Sequence, residues 1–208
     1  LYANGTSGGI INVVDNCIAP KDFTKQEFIA GLETQSVNDG DSQYFNFKDN
    51  LGGFNVNVGY KKSEFGNFDI PDGAIIHEDD HEEEELSYLE NSDLETESTK
   101  FGISRRGEWG YFGISIDNHE SMYGIPYHGE DDDEHPEDEH EGERIFSSTD
   151  QDSFTIKGQY NLMNNLVKSV TYNYRDTDYE LVEAHAEEEG HDGEEHAPTV
   201  FANDATEY

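Results

Sequence analysis

Eight histidines and a crowd of carboxylates fall into three sets along this chain. His77 and His81 lie four residues apart with Asp79 between them. His128, His135 and His140 share a stretch with Glu134 and Glu139, and His185, His191 and His196 form the third set. Imidazole nitrogen and carboxylate oxygen are the ligands that Zn²⁺ takes, typically four at a time. Residues on separate loops can close on one ion, so these eleven positions are the candidate metal ligands. Such capture needs neutral imidazole and weakens as pH falls through the histidine range. A hard cation such as Ca²⁺ would need only the carboxylates, but the D-x-D-x-D-G spacing of a dedicated calcium loop is absent. Acidic blocks also serve as plain hydrated surface. What sets these apart is that they hold eight of the nine histidines. The ninth, His119, lies outside them and reads as structural or peripheral. No H-E-x-x-H helix motif occurs, and no carboxylate pair is set in the apolar context that would tune its pKa. An enzyme is therefore not expected, nor a prosthetic group; a divalent cation would be cargo.

The acids that surround these histidines dominate the chain's charge. The windows 72–97, 128–143 and 183–196 contain 12, 10 and 7 of the 48 acids and no Lys or Arg. Blocks of like charge repel one another and stay hydrated, so they read as loops rather than core. A formal net charge of -36 excludes nucleic acid and an anionic membrane surface as partners and concentrates cations instead.

Between the windows the texture changes to a period of two. Phe54, Val56, Val58 and Tyr60 alternate with Asn55, Asn57, Gly59 and Lys61, and Phe112, Ile114 and Ile116 with Gly113, Ser115 and Asp117. Phe154, Ile156 and Tyr160 alternate with Thr155, Lys157, Gln159 and Asn161, and Val170, Tyr172 and Tyr174 with Thr171, Asn173 and Arg175. Alternation of this kind predicts strands with one apolar environment, over 25–37, 41–49, 53–69, 97–105, 109–121, 150–161, 166–182 and 198–208. Short turn signals at Asn50–Gly53, Arg106–Glu108 and Met163–Asn165 separate three of the pairs. From the third strand onward the other connections are the long acidic windows. Up-and-down strands then send all three windows to one end, which is the asymmetry of a transmembrane β-barrel. A soluble sandwich with acidic loops would alternate too. The polar face, with Asn55, Asn57, Lys61, Lys157, Gln159 and Arg175, suits a wet lumen, and the Phe- and Tyr-rich face suits lipid. No apolar run is long enough for a membrane helix, and the single Cys17 allows no internal disulfide.

The first fourteen residues, Leu1-Tyr2-Ala3-Asn4-Gly5-Thr6-Ser7-Gly8-Gly9-Ile10-Ile11-Asn12-Val13-Val14, lack the G-x-G-x-x-G spacing of a dinucleotide site. They resemble instead the closing segment of the plug domain in TonB-dependent outer-membrane receptors. Ala3 stands where that family usually has Gly, and Cys17 where a basic residue is common. The chain opens inside this motif without a Met or a signal segment, so it is expected to be a fragment. The resemblance implies the end of a plug at 1–16, a linker at 17–24, and the first part of a barrel at 25–208. Long extracellular loops are then expected at 70–97, 122–149 and 183–198. It further implies a barrel of about 22 strands, of which seven or eight would be present here, in the outer membrane of a Gram-negative bacterium. Outer-membrane lipid and the TonB complex of the inner membrane would be its partners. Ser121-Met122-Tyr123-Gly124-Ile125-Pro126-Tyr127-His128, with the acid and histidine run that follows, is similar to the zinc-uptake branch of the family and implies Zn²⁺ or a related divalent ion as cargo. The alternatives that stay open are a siderophore, haem or other organic nutrient as cargo, and a secreted acidic metal-buffering β protein.

Overall fold

The computed structural model describes residues 17–71, 87–126, 144–163, 166–186 and 197–208. Its elements are strands: β1 (Glu27–Gln35), β2 (Gly40–Leu51), β3 (Phe54–Phe65), β4 (Phe68–Asp69), β5 (Tyr88–Leu89), β6 (Leu94–Gly107), β7 (Gly110–Gly124), β8 (Arg144–Asn161), β9 (Ser169–Ala186) and β10 (Thr199–Glu207). Eight of them form one antiparallel sheet in the order β1-β2-β3-β6-β7-β8-β9-β10, and β4 and β5 pair by themselves. Each long strand lies beside the next in sequence, so the sheet runs up and down without a crossover. It is not closed; β1 and β10 are its edges.

This order fixes the ends. The turn after β2 is held by Gly52 and Gly53 at φ 62° and 89°, a left-handed backbone that glycine adopts without strain, and Gly53 N–H donates to Asn50 Oδ1 at 3.0 Å. The tight β6–β7 turn and the β8–β9 connection lie at that same end. The residues that lead into and out of the acidic stretches, Pro71 and Ser87, Pro126 and Arg144, Ala186 and Ala197, follow or precede strands at the opposite end.

The strands run further toward that end than alternation indicates. β6 begins at Leu94, β7 continues to Gly124, β8 begins at Arg144 and β9 continues to Ala186, so the expected loops at 70–97, 122–149 and 183–198 are shorter than read. The reason is physical: Glu95, Glu97, Glu120, Asp150 and Glu180 occupy the face that lower down is apolar. Where both faces are polar the period of two disappears from the sequence although the backbone ladder continues. The strand expected over 53–69 is broken as well. It ends at Phe65, and Phe68–Asp69 turns away to pair with Tyr88–Leu89. Ser92 fixes this small hairpin: its Oγ accepts from Phe68 N–H at 2.8 Å and donates to the Leu89 carbonyl at 2.6 Å, while its N–H donates to Asn67 Oδ1 at 3.0 Å.

Burial is the inverse of a soluble sheet. The buried hydrophobic residues among those described are Cys17, Ile18 and Ala19, whereas the buried side chains on the sheet itself are polar: Asn55, Asn57, Ser63, Ser104, Ser115, Ser147 and Ser153. Phe45, Phe54, Phe101, Phe112, Ile116, Phe154 and Tyr172 are exposed.

Candidate functional site

The register divides the sheet into a covered face and an open face. The covered face carries the N-terminal segment. Asn55, Ser104 and Gly113 share one rung, and Asn57, Gly102 and Ser115 the next. Cys17 and Ile18 lie against the two glycines: a Cβ on Gly102 would strike the Cys17 carbonyl, and one on Gly113 the Ile18 Cγ2. Ser104 Oγ donates to the Ala19 carbonyl at 2.8 Å, and Phe23 N–H donates to Asn55 Oδ1 at 2.8 Å. Asn55 Nδ2 in turn donates to Asp22 Oδ1 at 3.3 Å. Small and amide side chains thus let a backbone settle directly on the sheet and satisfy its polar groups there. Periodicity identifies these residues as the polar face but says nothing of this seat, because it arises only when β3, β6 and β7 are in register.

The open face bears an apolar belt that slants. On β1 the belt is Phe28, Ala30 and Leu32; on β7 it is Phe112, Ile114 and Ile116; on β9 it is Val170, Tyr172 and Tyr174. Followed through the register, the rung of Ala30 passes through Phe45, Tyr60, Thr99, Asn118 and Asp152 to Asp178, six residues beyond Tyr172. Over the six steps from β1 to β9 the belt therefore slips about one residue per strand. With a rise of about 3.3 Å per residue and strands about 4.8 Å apart, that slip places the strands roughly 35° from the normal of the layer the belt occupies. Strands of closed membrane barrels tilt by roughly 35–45°.

Above the belt the open face is acidic. Glu97, Glu120, Asp150 and Glu180 form one rung and border an open depression. Lys62 lies at the start of that rung and pairs with Glu64 at 2.6 Å and Glu95 at 3.2 Å. Asp152, Asp178 and Asp204 face one another across three adjacent strands. Like charges directly opposite are unfavourable; a side-chain hydrogen bond with Asp204 and its charge raise the Asp178 carboxyl above the usual range, and Asn118 Nδ2 donates to Asp152 Oδ1 at 3.2 Å.

The candidate metal ligands are reached from this end. His185 is in β9, opposite Ile145 of β8. His77, Asp79, His81, His128, Glu134, His135, Glu139, His140, His191 and His196 lie outside the described residues. The described residues that flank the three acidic stretches thus lie at one end of the sheet. The described residues form no cluster of three or more metal-ligating groups. His119 is exposed on β7 between Ser98 and Gln151, on the covered face. No protein-family model matches the chain, and no curated protein matches it.

Proposed function

We propose that this chain is the plug end and the first part of the barrel of an outer-membrane receptor of the TonB-dependent kind, whose acidic, histidine-bearing stretches capture Zn²⁺ or a related divalent cation outside the cell. The observation that carries the reading is the slanted belt: an apolar band that drifts by about one residue per strand is what a flat lipid layer selects on strands tilted by roughly 35°. A soluble sandwich buries its apolar face against a second sheet and needs no such drift.

Two further features support it. The β2–β3 and β6–β7 turns lie near the belt, while β9 continues about 14 residues past Tyr172, on the order of 45 Å along the strand. That is the asymmetry of short periplasmic turns and tall extracellular strands. The N-terminal segment enters over the covered face near the tight-turn end, as a plug linker entering a barrel would. In this reading the acid rungs and the stretches above them draw cations to the mouth, the histidines select softer ions over Ca²⁺, and the energy for passage comes from the TonB complex.

Calorimetric titration of Zn²⁺ into the refolded complete gene product tests the capture step. Replacing His77, His81, His128, His135, His140, His185, His191 and His196 by Ala should weaken zinc binding by at least tenfold and remove its loss below about pH 6. Unchanged affinity in that variant would end the metal reading.

A further inference from the structure

The open face is nearly free of positive charge. Among its described side chains on the eight-stranded sheet, Lys62 and Arg105 are the bases. Lys62 is held by Glu64 and Glu95 above the belt. Arg105 is exposed at the opposite edge, where β6 approaches its tight turn. It makes no salt bridge among the described residues. Asp49, on this face of β2 at the same edge, accepts from the Asn50 N–H at 2.8 Å.

The surroundings of Arg105 are aromatic. Its rung runs Leu51, Phe54, Arg105, Phe112, Gly158 and Tyr172. The guanidinium lies over the Phe54 ring, 5.0 Å from its centre. Phe112 stands on its other side, and the Tyr172 ring lies 6.5 Å from Phe112. Gly158 makes that reach possible, since a Cβ there would strike the Tyr172 hydroxyl. Stacking uses the flat face of a guanidinium and leaves the N–H donors on its rim to other partners.

The depth of Arg105 follows from the slant of the belt. Thr99 shares the rung of Ala30, and β6 is the third strand after β1 in the sheet. A slip of about one residue per strand puts the middle of the belt on β6 between Phe101 and Ile103. Arg105 then lies roughly 8 Å from the middle, on the tight-turn side. Membrane barrels carry an apolar band about 25 Å tall, so its edge lies a few ångströms further, a gap that the Arg stem spans. At the other edge Glu97, Glu120, Asp150 and Glu180 repel an anion. The two rims of this face thus differ in sign.

We propose that Arg105, set between Phe54 and Phe112, binds the phosphate of a phospholipid whose acyl chains lie on the belt, and so fixes the depth at which the tight-turn end of the sheet sits. A guanidinium takes two phosphate oxygens at once through its fork of donors, and the aromatic row beside it covers the upper part of the chains. The inference rests on the membrane reading above and adds to it a specific lipid contact.

Native mass spectrometry tests it, on the complete gene product in dodecyl maltoside, a detergent without phosphate, titrated with dioleoylphosphatidylglycerol. The wild type should retain the lipid saturably. Arg105→Gln should weaken retention by at least fivefold, Lys62→Gln should leave it unchanged, and Arg105→Lys, which keeps the charge and loses the planar fork, should fall between wild type and Arg105→Gln. Dioleoylglycerol, with the same chains and no phosphate, should bind wild type and Arg105→Gln alike. Equal lipid retention by wild type and Arg105→Gln, or equal weakening by Lys62→Gln, would overturn the site. Displacement of the lipid by an equal concentration of inorganic phosphate would overturn it as well, and leave a site for a free anion. Heat-modifiable gel migration of the same samples reads the barrel separately. Its loss in the wild type sinks the membrane reading, whereas its presence with unchanged lipid retention in Arg105→Gln sinks the lipid site alone.

Discussion

Gly102 shows at the level of one residue how this sheet accepts a second layer. The Cys17 carbonyl occupies the space of a Cβ there, so any larger side chain must push a backbone group rather than a flexible tip. Gly102→Val should therefore lift residues 17–23 from their seat, at a cost of about 1–3 kcal/mol typical of overpacking. Cys17, 4% exposed in the wild type, is the reporter: it should resist a maleimide before the substitution and react after it. Cys17 presents its carbonyl and a small side chain to Gly102. None of this is legible in sequence. Gly102, Gly113 and Ser104 read only as the small residues of an alternating run. Their meeting with Cys17–Ala19 spans more than 80 positions and depends on the register of three strands.

At the level of the strand, alternation indicated all eight members of the sheet and misjudged where they stop. The period of two is written only where one face is dry. On β7 it is plain from Phe112 to Ile116 and gone by Glu120 and Met122, although the ladder continues to Gly124. Depth along a strand is thus what the belt encodes, and it gives a test that separates lipid from water. Ile116 is 55% exposed and Val182 stands on the same face well above the belt. In water an arginine at either position changes stability little. Across a bilayer, Ile116→Arg should cost about 2–4 kcal/mol and Val182→Arg about 0–1 kcal/mol, measured by urea unfolding of the complete gene product in lipid vesicles. Equal, small costs would remove the lipid from the account.

For the molecule as a whole, the open edges at β1 and β10 matter most. Unpaired backbone groups are costly within a bilayer and invite misassociation outside it, so this sheet is completed by further strands in the reading proposed here. The direction of its connections was legible in sequence because loop length and charge alternate. The candidate metal ligands were legible only as types and spacing, and all but His185 lie outside the described residues. The central claim is that the three acidic stretches stand on one side of a membrane and the β2–β3 and β6–β7 turns on the other. Single cysteines in a Cys17→Ser background, labelled by a membrane-impermeant maleimide on intact cells, test it directly. Asp80→Cys, Asp131→Cys and Asp192→Cys should all be labelled, and Glu108→Cys only after the outer membrane is opened. Labelling of Glu108→Cys on intact cells, or protection of any one of the other three after the others react, would contradict it.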